Sequence, residues 1–170
     1  MGTRHNQNLL QSIILGFFRK KYQVNNLLIT FKTMPITKPR HSCKIIITFG
    51  DCDPAGIVFY PNFYRFIDRT FHDWLRQWGS HTALTSRVNG LALGLIDSGA
   101  QFQHVVRDGD ALRVDLRVCD WKPKTFRVEY HAYVAETLCF TGFEVRGLFQ
   151  LIDNKIKAAQ VLPLKTIIDP

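Results

Sequence analysis

No aspartate or glutamate occurs among residues 1–50. Eight of the 22 Lys and Arg residues fall there, which leaves fourteen basic and fourteen acidic residues in positions 51–170. The net charge of +8 therefore belongs to one end of the chain, and the balanced body gives no reason to expect a nucleic-acid-binding domain. Also missing is any apolar run of about 18 residues, the length that spans a bilayer. The longest candidates, "IILGFF" and "GIVFYPNFYRF", are short or interrupted, so no membrane partner is expected. Cys43, Cys52, Cys119 and Cys139 show neither C-x-x-C spacing nor a Cys-His cluster, so the sequence points to no zinc or other metal site. Scattered thiols suit a reducing cytoplasm. There is no G-x-S-x-G elbow, no Gly-rich phosphate loop and no dinucleotide fingerprint, and hence no sign of a cofactor. The six histidines lack metal-ligand spacing, and His72 and His131 read as solvated.

What is present suits one globular domain. Apolar residues make up 46% and charged residues 21%, enough to build a core in a chain of this length. Residues 1–40 read as a basic extension outside the fold, and 41–170 as the domain. In the extension Arg19, Lys20 and Lys21 follow the apolar run instead of preceding it. No small-residue cleavage site appears, only Ser12 is available for a transit signature, and Asn6 breaks the myristoylation pattern. Met34, which opens "MPITKPRHSCKIIITF", is an alternative start.

The body divides by periodicity. Residues 42–49, with Ile46, Ile47 and Thr48, predict a strand. Residues 62–79 predict a long helix: Phe63, Phe66, Ile67, Thr70, Phe71, Trp74, Leu75 and Trp78 recur at steps of three and four. Asn62 is expected to cap its start and Gly79 to end it. Four strands follow, at 91–102, 110–121, 124–134 and 140–153. Leu112, Val114, Leu116 and Val118 mark the buried side of the second, and Phe126, Val128, Tyr130, Ala132 and Val134 that of the third. In the last, Phe143, Val145, Gly147, Phe149 and Leu151 are expected to face the core. Strand, helix, then four alternating strands describes an α+β fold in which a curved antiparallel sheet wraps one aromatic helix.

One stretch interrupts this pattern. "FGDCDPAGIVFYPNFYRF" (49–66) sets Asp51 and Asp53 in a turn between two apolar segments, just before the helix. On spacing alone two readings stand: an Asp-Pro turn or cap, or a carboxylate beside free helix N–H groups, able to attack an acyl carbon or activate water.

The same stretch resembles the active-site signature of the 4-hydroxybenzoyl-CoA thioesterase family: a strand ending in D-x-D-x-x-G-x-V, then Y-P-N, then a long central helix. "DWKPKTF" (120–126) is similar to that family's acidic-Trp-basic strand crossing, and "FEVRGLFQL" to its last strand. The resemblance covers about residues 42–152. It implies a hot-dog fold and hydrolysis of an acyl-CoA thioester without a metal, at sites formed between the subunits of a homodimer or homotetramer. It implies Asp53 as nucleophile or general base, Asp51 as a structural residue, and the Tyr60 backbone N–H as the group that polarises the carbonyl. Pro61 stands where short-chain acyl relatives carry His, which favours an aromatic acyl group such as 4-hydroxybenzoyl. Coenzyme A carries phosphates, so Lys122, Lys124 and Arg146 are the expected basic rim. Other roles open to such a chain are a short-chain acyl-CoA or acyl-carrier-protein thioesterase, a non-catalytic acyl-CoA sensor and a dehydratase, although the motif lacks the histidine that dehydration uses. Cys52 as a nucleophile has no histidine nearby in sequence.

Overall fold

A computed structural model describes residues 38–170. In chain order the elements are β1 (His41–Ile46), a short 3-10 turn (Phe49–Asp51), α1 (Tyr60–Leu75), a second 3-10 turn (Arg76–Trp78), α2 (His81–Arg87), β2 (Ala92–Phe102), β3 (Ala111–Trp121), β4 (Thr125–Val134), β5 (Thr137–Ile152), β6 (Lys155–Ala159) and α3 (Leu162–Ile168). The strands form one antiparallel sheet in the order β1-β3-β4-β5-β2, and β6 pairs with β5 over Leu148–Ile152. The sheet curls around α1, the hot-dog arrangement that the resemblance implied.

The helix forms because its apolar residues fall on one side. Phe63, Phe66, Ile67, Thr70, Phe71, Trp74 and Leu75 are all buried. Against them lie Leu112, Val114 and Leu116 of β3, Phe126, Val128, Tyr130 and Ala132 of β4, and Phe140 and Leu148 of β5. Each large side chain taken out of water contributes roughly 1.5–3 kcal/mol, and α1 has little reason to stay helical without that sheet.

The helix begins two residues earlier than the periodicity suggests. Tyr60 is its first residue and Pro61 its second, a position where proline's missing N–H costs nothing. Asn62 is therefore not the cap. It is buried inside the first turn, where its Nδ2 donates to the Asp51 carbonyl at 2.9 Å and its Oδ1 accepts from Arg65 at 3.0 Å.

On β5 the expected face is the wrong one. The register pairs Tyr130 with Gly142, Val128 with Glu144 and Phe126 with Arg146, so Glu144 and Arg146 share the inner face with the core residues of β4. Phe143, Val145 and Phe149 lie on the outer face, each only half-buried, and Leu151 is exposed. Arg127 covers the Phe143 ring at 3.9 Å from its centroid. A Cβ on Gly99 would stand 2.6 Å from the Phe143 ring, and one on Gly94 would stand 2.7 Å from that of Phe149. The two rings thus occupy the space the glycines leave open.

Residues 154–170, given no element in the sequence reading, supply β6 and α3. The indole N–H of Trp121 donates to Asp169 at 2.8 Å, and the Val161 N–H donates to the Pro123 carbonyl at 3.0 Å, which ties α3 to the β3–β4 turn. The Arg40 guanidinium also bonds Asp169, and its backbone N–H donates to Leu116. Contact with the sheet therefore begins before residue 41, while residues 1–37 of the expected extension lie outside the described residues. No helix among the described residues is long and apolar enough to cross a membrane.

Candidate active site

The turn before α1 is laced to the helix head by Asp51. Its Oδ2 accepts from the Thr48 N–H at 2.9 Å and from the Thr48 hydroxyl at 2.7 Å. These bonds favour the anion and hold the carboxyl below the usual aspartate range. The Asp51 carbonyl takes the Phe59 N–H at 2.9 Å as well as the Asn62 amide. Both ends of Asp51 are committed to shape.

Asp53 is bonded differently. Its N–H donates to the Ile57 carbonyl and its carbonyl accepts the Gly56 N–H, each at 2.9 Å. One carboxylate oxygen, Oδ1, accepts from the Ala55 N–H at 2.8 Å. Among the described residues the other oxygen has no partner. The turn closes on Gly56 at φ +74°, where a side chain would be strained. The Val58 N–H donates to Val106 at 2.8 Å, which anchors the turn to the loop between β2 and β3.

The head of α1 offers the Tyr60 N–H as a donor. Pro61 has no N–H, and the Asn62 N–H donates to Phe59 at 2.8 Å. The Tyr60 N–H has no acceptor among the described residues. It stands at the positive end of a 16-residue helix, the place where an anion or a developing oxyanion is stabilised. Tyr60 itself is 61% exposed.

Beside this head lies an apolar groove of about 300 Å³. Ile57, Val58, Phe63, Phe102 and Val106 line it, with Tyr60 at one side and Gln103 and His104 adding polar atoms. Phe63 and Phe102 stand 5.1 Å apart, and Phe140 backs Phe63 at 4.8 Å. The carbonyl that receives the Asp53 N–H belongs to Ile57, so turn, helix head and groove are contiguous. The sequence alone assigns the β2–β3 loop no role. Its only signal is the aromatic–polar run Phe102-Gln103-His104.

The expected basic residues do not gather here within one chain. Arg146 is only 4% exposed. Its Nε and Nη2 bind the two oxygens of Glu144, each at 2.8 Å, its Nη2 also reaches Asp68 at 2.7 Å, and its guanidinium lies 3.9 Å from the Phe71 ring centroid. A guanidinium so enclosed belongs to the core and presents nothing to a phosphate at the surface. Lys122 and Lys124 are exposed at the β3–β4 turn, and Lys122 pairs with Asp120 at 3.7 Å. The turn of Asp53 abuts the opposite end of β3: Ile47 donates to Asp110, and Ile46 pairs with Ala111. The eleven residues of β3 separate the two ends by roughly 30 Å at the usual strand rise.

Two histidines expected in solvent are half-buried instead. His72 sits 3.6 Å from Asp68, and burial pushes its pKa down. His131 lies 3.0 Å from Arg117, and burial and that guanidinium lower its pKa too. Burial, with Glu129 beside it, pushes the Cys119 thiol up to about 11. The Cys52 thiol donates to the Thr48 carbonyl at 3.8 Å.

Residues 47–163 match the thioesterase-like superfamily. A 4-hydroxybenzoyl-CoA thioesterase from Pseudomonas sp. (strain CBS-3) is 31% identical over 123 residues, which is 68% of this chain and 86% of that protein. A 1,4-dihydroxy-2-naphthoyl-CoA hydrolase from Prochlorococcus marinus (strain MIT 9303) is 29% identical over 92 residues, covering 50% of this chain and 61% of the relative. The solved structure of 4-hydroxybenzoyl CoA thioesterase from Pseudomonas sp. strain CBS-3 has a similar fold, with a TM-score of 0.64 at 24% identity, covering 71% of this chain and 91% of that one.

Proposed function

The chain belongs to the thioesterase-like superfamily and is a thioester hydrolase, and from that premise we propose that it hydrolyses an aromatic acyl-CoA with Asp53 as nucleophile or general base. The relatives named above act on hydroxylated aromatic acyl-CoAs, and the groove, which Ile57 joins to the Asp53 turn, is walled by Phe63 and Phe102. One observation carries the assignment of Asp53. Of the two acids in the turn, Asp51 takes two bonds from Thr48 that set the turn, whereas the Asp53 carboxylate takes one, from the Ala55 N–H, and is the less committed of the two.

Two routes use these groups. In the first, the free oxygen of Asp53 attacks the thioester carbonyl carbon and the electron pair moves to the carbonyl oxygen, which the Tyr60 N–H stabilises. Collapse breaks the C–S bond, releases the CoA thiolate and leaves a mixed anhydride for water to hydrolyse. In the second, Asp53 takes a proton from the water that attacks the carbonyl carbon, and the resulting oxyanion, stabilised by the same N–H, collapses with cleavage of the C–S bond and loss of the CoA thiolate. Both end in a carboxylic acid and coenzyme A.

The assembly proposal rests on the sheet edge. β2 is an 11-residue strand at the end of the sheet order, and it exposes Leu95, Ile96 and Phe102. Pairing with a second copy would cover that edge. If Lys122 and Lys124 bind coenzyme A phosphates at the Asp53 turn, they reach it from another copy. Four free cysteines suit the cytoplasm.

The test is hydrolysis across benzoyl-, 4-hydroxybenzoyl-, 1,4-dihydroxy-2-naphthoyl- and acetyl-CoA, with an acylated carrier protein alongside. The proposal expects the aromatic CoA thioesters to have the highest kcat/KM, at or above about 10⁴ M⁻¹s⁻¹. Preference for acetyl-CoA or for the carrier protein would overturn it, as would binding without turnover.

A further inference from the structure

We propose that His104 is a specificity-determining residue whose Nε2 accepts a hydrogen bond from a phenolic hydroxyl on the acyl group held in the groove. The inference rests on the aromatic acyl-CoA reading above and extends it to the substituent on the ring.

The other ring nitrogen of His104 is already engaged. Nδ1 of His104 lies 2.8 Å from the Leu138 carbonyl oxygen. A carbonyl can only accept, so Nδ1 carries the proton. In a neutral imidazole the opposite nitrogen, Nε2, is then a bare acceptor. Among the described residues nothing donates to it.

The ring is also held in place. The backbone N–H groups of Gln103 and His104 both donate to the Cys139 carbonyl, at 2.8 and 3.0 Å. The Gln103 amide nitrogen donates to Thr141 at 3.3 Å. Three bonds from this dipeptide to consecutive carbonyls at the start of β5, and a fourth to a side chain there, pin it at the side of the groove. An acceptor ordered before the ligand arrives loses little entropy on binding it.

The surroundings define the ligand. Ile57, Val58, Phe63, Phe102 and Val106 suit a flat apolar ring. The aliphatic and Phe side chains cannot bond a hydroxyl, and the side-chain acceptors lining the groove are His104, the Gln103 amide oxygen and the Tyr60 hydroxyl. Of these groups the amide and the hydroxyl also donate, whereas the His104 Nε2 in this tautomer only accepts. A phenol is a good donor and a weak acceptor, which matches an acceptor-only nitrogen. His104 is exposed in the single chain, so a ring seated over it without a hydroxyl would displace water from Nε2 and return no donor, and sites built for a hydroxyl discriminate by that cost.

The experiment uses nonhydrolysable thioethers, so that it reads binding and not turnover. S-benzyl-CoA and its ortho-, meta- and para-hydroxy derivatives are titrated into the full chain and into His104→Phe, His104→Gln and Gln103→Leu by calorimetry. The full chain is expected to bind at least one hydroxylated thioether about tenfold more tightly than S-benzyl-CoA. His104→Phe keeps a ring but no acceptor, and should abolish that preference. His104→Gln sets an amide oxygen near the place of Nε2, and should keep part of it. Gln103→Leu removes one of the four pins and the competing amide acceptor, and should weaken the preference less than His104→Phe does.

No hydroxyl preference in the full chain overturns the inference, as does binding of none of the thioethers. Full preference in His104→Phe does so too, as does its loss in Gln103→Leu alone. The catalytic reading fails separately. A chain that shows the preference and the His104 dependence, yet hydrolyses no thioester, keeps the binding site and loses the enzyme.

Discussion

The Nη2 of Arg146 donates to Oδ1 of Asp68 at 2.7 Å and so fastens β5 to α1. On the buried side the same guanidinium holds Glu144, which also accepts from the Tyr130 hydroxyl at 2.5 Å. Burial and the Glu144 carboxylate raise the Tyr130 pKa well above its ordinary value, so the phenol stays a donor. Every buried charge here is paired and hydrogen-bonded, the condition under which such a cluster is tolerated.

This arrangement makes Arg146→Met a stability mutation. It leaves Glu144, 2% exposed, as an uncompensated buried anion. The expected loss is about 3–5 kcal/mol in urea unfolding. The double variant Glu144→Leu, Arg146→Met removes both charges and should recover most of that loss. A single variant that costs under about 1 kcal/mol would show that the guanidinium is dispensable to the core.

The sequence made α1, β3 and β4 legible because each has one apolar face and one polar face. β5 misled because Phe143, Val145 and Phe149 mimic a core stripe, while the true inner face carries Glu144 and Arg146. No local pattern tells a buried, mutually neutralised pair from a solvated one. That takes the register that brings Tyr130, Glu144, Arg146 and Asp68 together. The Asp51–Asp53 turn stood out as chemistry, but the division of labour between the acids depended on Thr48 and Ala55 geometry. The groove was invisible for a related reason: Phe63 and Phe102 are 39 positions apart, and only the fold makes them neighbours. Lys122 and Lys124 looked close to the motif by family pattern, but within one chain the length of β3 holds them apart.

Stability should depend on pH through the half-buried histidines. Burial lowers the pKa of His72 and of His131 in the folded chain. The unfolded chain then binds protons first, at about pH 6.5, and ν_U exceeds ν_N below that point. Their contribution is present above about pH 6.5 and is lost as pH falls through the lowered folded values. Urea midpoints measured from pH 7.5 downward should fall in that window. His131→Gln should shallow the slope, and an unchanged slope in both His131→Gln and His72→Gln would refute the assignment. Asp51 adds a second, more acidic loss, since its depressed carboxyl must be protonated below the ordinary aspartate value near 3.9.

Gly147 should resist substitution. A Cβ there would stand 2.9 Å from the Lys124 carbonyl oxygen and 3.1 Å from Ile96. The first of these neighbours is backbone at the start of β4, so the ladder between Thr125 and Gly147 must yield. Gly147→Ala is expected to lower unfolding stability by about 1–3 kcal/mol. A variant as stable as the parent would mean that the β3–β4 turn moves freely.

Asp53→Asn separates catalysis from turn formation. The amide keeps the size of the side chain and an oxygen that can accept from Ala55, but it is neither an anion nor a base. If Asp53 attacks the thioester or activates water, kcat should drop by at least about a hundredfold. Binding of S-benzyl-CoA should change little, because the transition state alone uses the anion. Asp51→Asn is the matched control. It weakens the Thr48 bonds that set the turn, so it should cost about 1 kcal/mol of stability and much less in rate. Wild-type turnover in Asp53→Asn would remove the mechanism. A collapse in Asp51→Asn alone, with unfolding stability unchanged, would transfer the chemistry to the other acid.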